Sequence, residues 1–125
     1  MMAFAVVFVG AGIGGALRHG LTLGVARLLG TQFPFHTFLI NIVGSLVMGL
    51  IAGWFVGHPN ADGYLPLFLM TGILGGFTTF SAFSLDALLL WERPGHRLAG
   101  VYVAGSVSGG IAGLLIGLWV MKMLA

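Results

Sequence analysis

The chain contains no cysteine and very little charge. Without cysteine, disulfide bonds, thiolate chemistry and cysteine-based metal sites are excluded, and the sequence carries no indication of a redox compartment. Charged residues make up 6% of the chain, whereas an average soluble domain carries roughly 25%. Because a soluble protein needs a polar surface, this composition predicts an integral membrane protein whose surroundings are a lipid bilayer. The net charge of +2 comes from so few groups that it does not indicate nucleic-acid binding.

Acidic residues are the scarcest charged type, with three in the chain and none in its first half before Asp62. The sequence shows no Ser–His–Asp set, no phosphate-binding glycine loop and no paired carboxylates. No metal-ligand spacing occurs among the four histidines, which are His19, His36, His58 and His96. We therefore expect a protein that is not an enzyme.

Hydrophobic residues, by contrast, make up 58% of the chain and fall into four long runs. A spanning helix needs roughly 20 apolar residues, so each run is long enough to cross a membrane. Short connections between the runs imply antiparallel neighbours. The sequence thus predicts an all-α membrane protein with one four-helix transmembrane domain over residues 1–125. Its helices are expected at about Ala3 to Leu29, Phe35 to Gly57, Gly63 to Trp91 and Leu98 to Met123.

Glycine is abundant, with 22 residues, and it recurs at intervals of four in the last predicted helix. Small residues at this spacing lie on one helix face and let backbones approach closely within a bilayer. The pattern predicts close helix packing along the face formed by Gly105, Gly109, Gly113 and Gly117.

The third hydrophobic run is interrupted near its centre by Gly75–Gly76 and Thr78–Thr79, which are poor helix formers. Lipid cannot hydrogen-bond a free backbone group, so a broken helix at that depth must be buried in protein, line a water-filled cavity or bind an ion. We therefore expect the third helix to be broken in the middle of the membrane, and the break suggests transport.

Four side chains within the apolar runs have two possible roles each. Asn41 either links helices by a hydrogen bond or lines a pore as a donor to an anion. Phe80 and Phe83, three residues apart, either pack the bundle or present the positive edges of their rings to an anion. Arg18 either extends toward the membrane surface or concentrates anions at a pore mouth.

Hydroxyl groups form a second set of candidates. Tyr102 and Ser106 lie four apart on the last helix, where they could form a polar track facing Ser81 and Ser84. Serine hydroxyls often bond to the carbonyls of their own helix, so each serine taken alone favours a structural role.

Three motifs together resemble one known family, the CrcB-type proteins or Fluc fluoride channels. Residues 14–18 (GGALR) look like the family's first-helix motif, and residues 37–45 (TFLINIVGS) look like its second-helix signature. Residues 75–84 (GGFTTFSAFS) are similar to its highly specific third-helix signature.

The resemblance implies a homodimer of two antiparallel, oppositely inserted subunits in the cell inner (plasma) membrane. It also implies two pores for passive fluoride export that lowers intracellular fluoride. A structural sodium ion is implied at the dimer centre, held by the backbone carbonyls of Gly75 and Thr78. The implied pore residues are Asn41, Phe80, Phe83, Ser81, Tyr102, Ser106 and Thr37, with Arg18 near the vestibule.

The charge distribution agrees with dual insertion without establishing it. Arg27, Arg93 and Arg97 lie at one end of the predicted bundle, and Lys122 lies at the other. This bias under the positive-inside rule is weak. The sequence departs from the family pattern at Ala82, where a threonine is usual, and at Gly110, where some relatives carry a serine.

Two other functions remain as alternatives. A small dimeric antiporter for cationic drugs would need an acidic residue in an early helix, and none is present there. A non-conducting structural subunit would explain the glycine faces but not the break in the third helix.

Overall fold

The computed structural model describes residues 1–58, 63–94 and 96–124. Throughout these ranges the regular secondary structure is helical. We number the elements α1 to α5 and use α3 for residues 67–77, which combine a π-helical stretch, Leu67–Leu74, with the α-helical turn Gly75–Phe77. The other helices are α1 (Met2–Leu29), α2 (Phe35–Gly57), α4 (Phe80–Glu92) and α5 (Arg97–Leu124).

Within the described part of the chain, four helical stretches are long and apolar enough to cross a membrane. They are α1, α2, α5 and the continuous range Leu67–Glu92, which contains α3 and α4. The prediction of an all-helical protein with four spans is therefore confirmed. The predicted turn after α2, residues 58–62, lies outside the described residues except for His58.

The third stretch begins later than the sequence pattern predicted. Gly63 has a φ angle of 94°, which breaks the helix before it starts. Pro66 lies in the first turn with helical angles, φ −58° and ψ −42°, and proline favours that position because the first turn needs no backbone donor. The apolar run and the helix therefore do not begin at the same residue.

Extended backbone separates α3 from α4. Thr78 has φ −78° and ψ 158°, and Thr79 has φ −153° and ψ 117°. The hydroxyl of Thr79 accepts a hydrogen bond from the Ala82 backbone N–H at 3.2 Å, which makes Thr79 the N-cap of α4. The two threonines thus end one helix and start the next.

The glycine ladder of α5 packs against α2, as its spacing predicted. A Cβ added at Gly109 would lie 2.7 Å from the Ile42 side chain, and one at Gly117 would overlap the Leu46 carbonyl oxygen. On the facing helix, a Cβ at Gly49 would overlap the Leu114 carbonyl oxygen. The two backbones are therefore in direct contact, and no larger residue fits between them.

A second close contact joins α1 to α3. A Cβ added at Gly10 would lie 2.9 Å from the Gly72 Cα atom, and one at Gly14 would overlap the Ile73 carbonyl oxygen. Among the described residues, backbone-to-backbone contacts thus join α2 to α5 and α1 to α3. Between them lies the extended segment Thr78–Thr79.

Candidate functional site

Asn41 of α2 is bonded to the extended segment. Its Nδ2 atom donates to the Thr79 carbonyl oxygen at 3.0 Å, and its Oδ1 atom accepts from the Thr79 backbone N–H at 2.9 Å. If the amide were turned over, its NH₂ group would face the Thr79 N–H and its oxygen would face the Thr79 carbonyl. The two hydrogen bonds therefore assign Nδ2 and Oδ1. The predicted interhelical hydrogen bond is thus present, and its partner is backbone.

Arg18 of α1 reaches the same segment from another helix. Its Nη1 atom lies 3.5 Å from the Thr78 carbonyl oxygen, to which it donates a long hydrogen bond. The Thr78 hydroxyl donates to the Leu74 carbonyl at 2.9 Å, inside its own helix. The guanidinium therefore lies at the break, and its predicted place near a vestibule stays a prediction.

A groove of about 430 Å³ lies beside the extended segment. Helices α2, α4 and α5 all contribute to its walls, and most of its lining is apolar. Several residues that the sequence had singled out meet there, namely Asn41, Thr78, Thr79, Phe80, Phe83, Ser106 and Gly110. The fold therefore gathers into one groove residues that are up to 73 positions apart, as Asn41 and Leu114 are.

Two phenylalanine rings form one wall of this groove. The ring centroids of Phe80 and Phe83 are 5.5 Å apart with their planes inclined by 40°. Phe83 also packs on Tyr102, at 5.4 Å between centroids. Phe80 has no such support and is 79% exposed. The two rings therefore differ: one belongs to the core of the chain, and the other projects from it.

Ser106 contributes a buried hydroxyl to the groove. The residue is 7% exposed, and its Oγ atom has no hydrogen-bond partner among the residues that the structure describes. Leaving a buried hydroxyl without a partner is destabilising by about 1–3 kcal/mol. An unpaired donor at this position is thus available to an occupant of the groove.

Tyr102 and Thr37 lie beside the groove, fully buried, with exposures of 0% and 1%. The Tyr102 hydroxyl donates to the Asp86 carboxylate at 3.4 Å. Tyr102 and Ser106 occupy the same face of α5, as their spacing predicted. Together they make a polar line that runs from the groove toward Asp86.

The remaining predicted residues lie on exposed surface. The Ser81 hydroxyl is 3.2 Å from that of Thr79, and the Ser84 hydroxyl donates to the Phe80 carbonyl of its own helix at 2.9 Å. Gly75 is exposed as well. Ser84 therefore shows the structural role that sequence reasoning had left open, while the roles of Ser81 and Gly75 stay predictions.

Sequence reasoning missed a second cavity, of about 160 Å³. It lies where the first connection approaches α4, and it contains Asp86, Arg93 and His36. The Nδ1 atom of His36 is buried without a partner in the described part of the chain. The only sequence signal was that ionisable residues are rare in this chain. That signal did not bring the residues together, because His36 and Asp86 are 50 positions apart.

The four helical stretches that are long and apolar enough to cross a membrane make the chain a multi-pass membrane protein. The family model described as "CrcB-like protein, Camphor Resistance (CrcB)" matches residues 5–118. The chain therefore belongs to the CrcB family.

Curated relatives match over almost their whole length. A protein of Rhodopseudomonas palustris (strain BisB5) is 55% identical over 121 residues, 97% of this chain and 98% of its own. One from Methylobacterium nodulans is 57% identical over 122 residues, 98% of each chain. A third, from Granulibacter bethesdensis, is 45% identical over 124 residues, 99% of this chain and 98% of its own. All three are named "Fluoride-specific ion channel FluC".

Proposed function

We propose that this protein is a fluoride-selective channel through which fluoride leaves the cytoplasm down its gradient. Relatives that share more than half of its residues are named fluoride-specific ion channels. The chain is a membrane channel and not an enzyme, and its place is the cell inner membrane. Export of this kind lowers intracellular fluoride without a nucleotide or a carrier group that must titrate.

The observation that carries the proposal is the groove beside the extended segment. It combines an unpaired, buried Ser106 hydroxyl with the rings of Phe80 and Phe83. Fluoride is small and strongly hydrated, so a narrow pore must replace its water with close donors. Ring edges carry partial positive charge, and a hydroxyl can donate directly. Neither group gives up a proton readily, which suits an anion that must pass without being protonated.

We further propose that two copies of the chain form the channel. Phe80 is 79% exposed although it lies at the groove, and the groove is open along one side. A second subunit would cover that side and complete two equivalent pores. Antiparallel insertion accords with the weak charge bias between the two ends of the bundle.

A structural sodium ion at the dimer centre is the remaining part of the proposal. The Thr79 N–H, which would bond to Gly75 in a continuous helix, is donated to Asn41 instead. The Gly75 carbonyl therefore lacks its usual donor, and within the described part of the chain the extended Thr78 carbonyl accepts only the long bond from Arg18. Two such oxygens from each subunit fit a small cation, which would supply fixed positive charge to the pore.

Fluoride efflux from liposomes that contain the purified protein tests the channel proposal, with chloride efflux measured in parallel. We expect rapid release of fluoride and no release of chloride. Release of neither ion by folded protein would favour a structural subunit, and release of both would contradict the account of selectivity. Proton-coupled release of a cationic dye would favour the antiporter.

Insertion in both directions can be tested because the chain has no cysteine. His58 is exposed at the end of α2, so a cysteine there reports which side of the membrane that end faces. In intact cells, we expect about half of the His58→Cys molecules to react with a thiol reagent that cannot cross the membrane. Complete reaction or none would indicate a single orientation.

A further inference from the structure

The extended segment is fixed by a side chain that behaves like a peptide group. The Asn41 carboxamide donates to the Thr79 carbonyl at 3.0 Å and accepts from the Thr79 N–H at 2.9 Å. Backbone strands pair with each other in the same reciprocal way. Asn41 therefore bonds to both backbone polar groups of Thr79, although it lies 38 positions earlier in the chain.

The Thr79 N–H would otherwise lack a partner, whereas the Thr79 carbonyl, as that of the N-cap residue, also accepts the first hydrogen bond of α4. With φ at −153°, Thr79 cannot continue the helical bonding of α3. An unsatisfied backbone group in the hydrocarbon region is destabilising by several kcal/mol. The break is therefore tolerated where it is because Asn41 lies opposite to it, and an apolar residue at position 41 would leave the Thr79 N–H unpaired.

The orientation of Thr79 also determines where α4 begins. Its hydroxyl accepts the Ala82 N–H at 3.2 Å and thereby caps the helix that carries Phe80 and Phe83. Its preceding neighbour, Thr78, presents its carbonyl to Arg18. A rotation of the Thr79 backbone would consequently move both the ring pair and the Thr78 carbonyl.

We propose that Asn41 is a positioning residue, which clamps the Thr79 peptide groups and so holds the two phenylalanines and the Thr78 carbonyl in register. The clamp occupies its Oδ1 atom and one of its two N–H groups. The effect on fluoride flux rests on the proposed channel function, whereas the clamp itself can be observed in a protein that conducts nothing.

The clamp can be measured as hydrogen exchange at one amide. Labelling with ¹⁵N-threonine gives signals from only six backbone amides, which include Thr79. In Asn41→Leu, the side-chain volume is nearly kept and both hydrogen bonds are lost. We expect protection of the Thr79 amide to fall by about tenfold or more, whereas that of Thr22 in α1 should stay unchanged. A tenfold change corresponds to ~1.4 kcal/mol.

Asn41→Asp provides a rescue experiment within the same site. A neutral carboxyl group can donate to the Thr79 carbonyl and accept from its N–H, whereas a carboxylate can only accept. Arg18 is the charged group that contacts the same segment. In this variant, the carboxylate keeps the bond from the Thr79 N–H but repels the Thr79 carbonyl, so we expect the fluoride flux to be low at neutral pH and to recover in acid.

Ser108→Ala is the matched control, because Ser108 is exposed on α5 and its hydroxyl donates to Ala104 of the same helix. It should leave both Thr79 protection and flux unchanged. If Asn41→Leu loses flux while Thr79 stays fully protected, Asn41 acts on the ion directly and the clamp is refuted. If protection falls in protein whose parent shows no flux, the clamp stands and the channel proposal fails.

Discussion

Helix α2 contacts its neighbours in two different ways along its length. Toward its C-terminal end, Gly49 touches the α5 backbone at Leu114, and no side chain intervenes. Toward its N-terminal end, Asn41 contacts the extended segment through two hydrogen bonds. The first contact depends on the absence of a side chain at Gly49, and the second depends on the carboxamide group of Asn41. Stability and function should therefore respond to opposite kinds of substitution.

The glycine contact should show the largest effect when an atom is added. In Gly49→Ala, the new methyl group would overlap the Leu114 carbonyl oxygen, so the two helices must separate. We expect a loss of about 3 kcal/mol or more in stability and little folded protein in detergent, measured by thermal unfolding.

Gly20→Ala is the control for that substitution. Gly20 lies in α1 with nothing within 4 Å of an added Cβ, and alanine favours a helix over glycine by about 1 kcal/mol. We expect unchanged or slightly higher stability. A variant of Gly49 as stable as this one would mean that α2 and α5 are not in backbone contact.

The phenylalanine pair should show a large effect on conduction and a small one on folding. Replacing either ring by isoleucine keeps much of its volume and removes the positive ring edge. We expect fluoride efflux to fall by about tenfold or more for Phe80→Ile and for Phe83→Ile, which corresponds to ~1.4 kcal/mol at the barrier. Unaltered efflux in both variants would refute the role of the ring edges.

The same two variants separate the exposed ring from the packed one. Phe83 contacts Tyr102 at 5.4 Å, and such an aromatic pair contributes about 0.5–1.5 kcal/mol. Phe80 is mostly exposed within one subunit. We expect Phe83→Ile to lower the unfolding temperature of the separated subunit, and Phe80→Ile to leave it unchanged.

The helices and the glycine face of α5 could be predicted from the sequence, because they depend on local patterns. Intervals of four predicted the α5 glycine face, and the apolar runs predicted the four spans. The partner of Asn41 could not be predicted, since it depends on how α2 is aligned with a segment 38 positions later. The same holds for Arg18, which contacts a carbonyl 60 positions away. Such backbone acceptors carry no residue-specific signal.

Ser106→Ala should change function without loss of stability. The hydroxyl is buried, and no group in the described part of the chain pairs with it. Its removal relieves the desolvation of an unpaired donor, so we expect stability to stay equal or to rise by about 1 kcal/mol. Fluoride efflux should fall severalfold if the hydroxyl donates to the passing ion. A clear drop in unfolding temperature would instead indicate a structural partner.

The smallest effect is expected where the groove has room for one more hydroxyl. A Cβ added at Gly110 would lie 3.4 Å from the Ser45 Oγ atom and would overlap no backbone. Gly110→Ser should therefore fold with a stability change within about 0.5 kcal/mol. An extra donor in the groove should raise fluoride efflux by roughly twofold, since a hydrogen bond contributes a net of about 0.5–1.5 kcal/mol and only part of it acts at the barrier. Gly117→Ser is the matched comparison, because its Cβ would overlap the Leu46 carbonyl oxygen and should destabilise the bundle. If Gly110→Ser instead blocks efflux in a stable protein, the ion must pass through the space that Gly110 leaves open. The groove beside Asn41 would then depend on the absence of a side chain at Gly110, as the glycine contact of α2 with α5 does at Gly49.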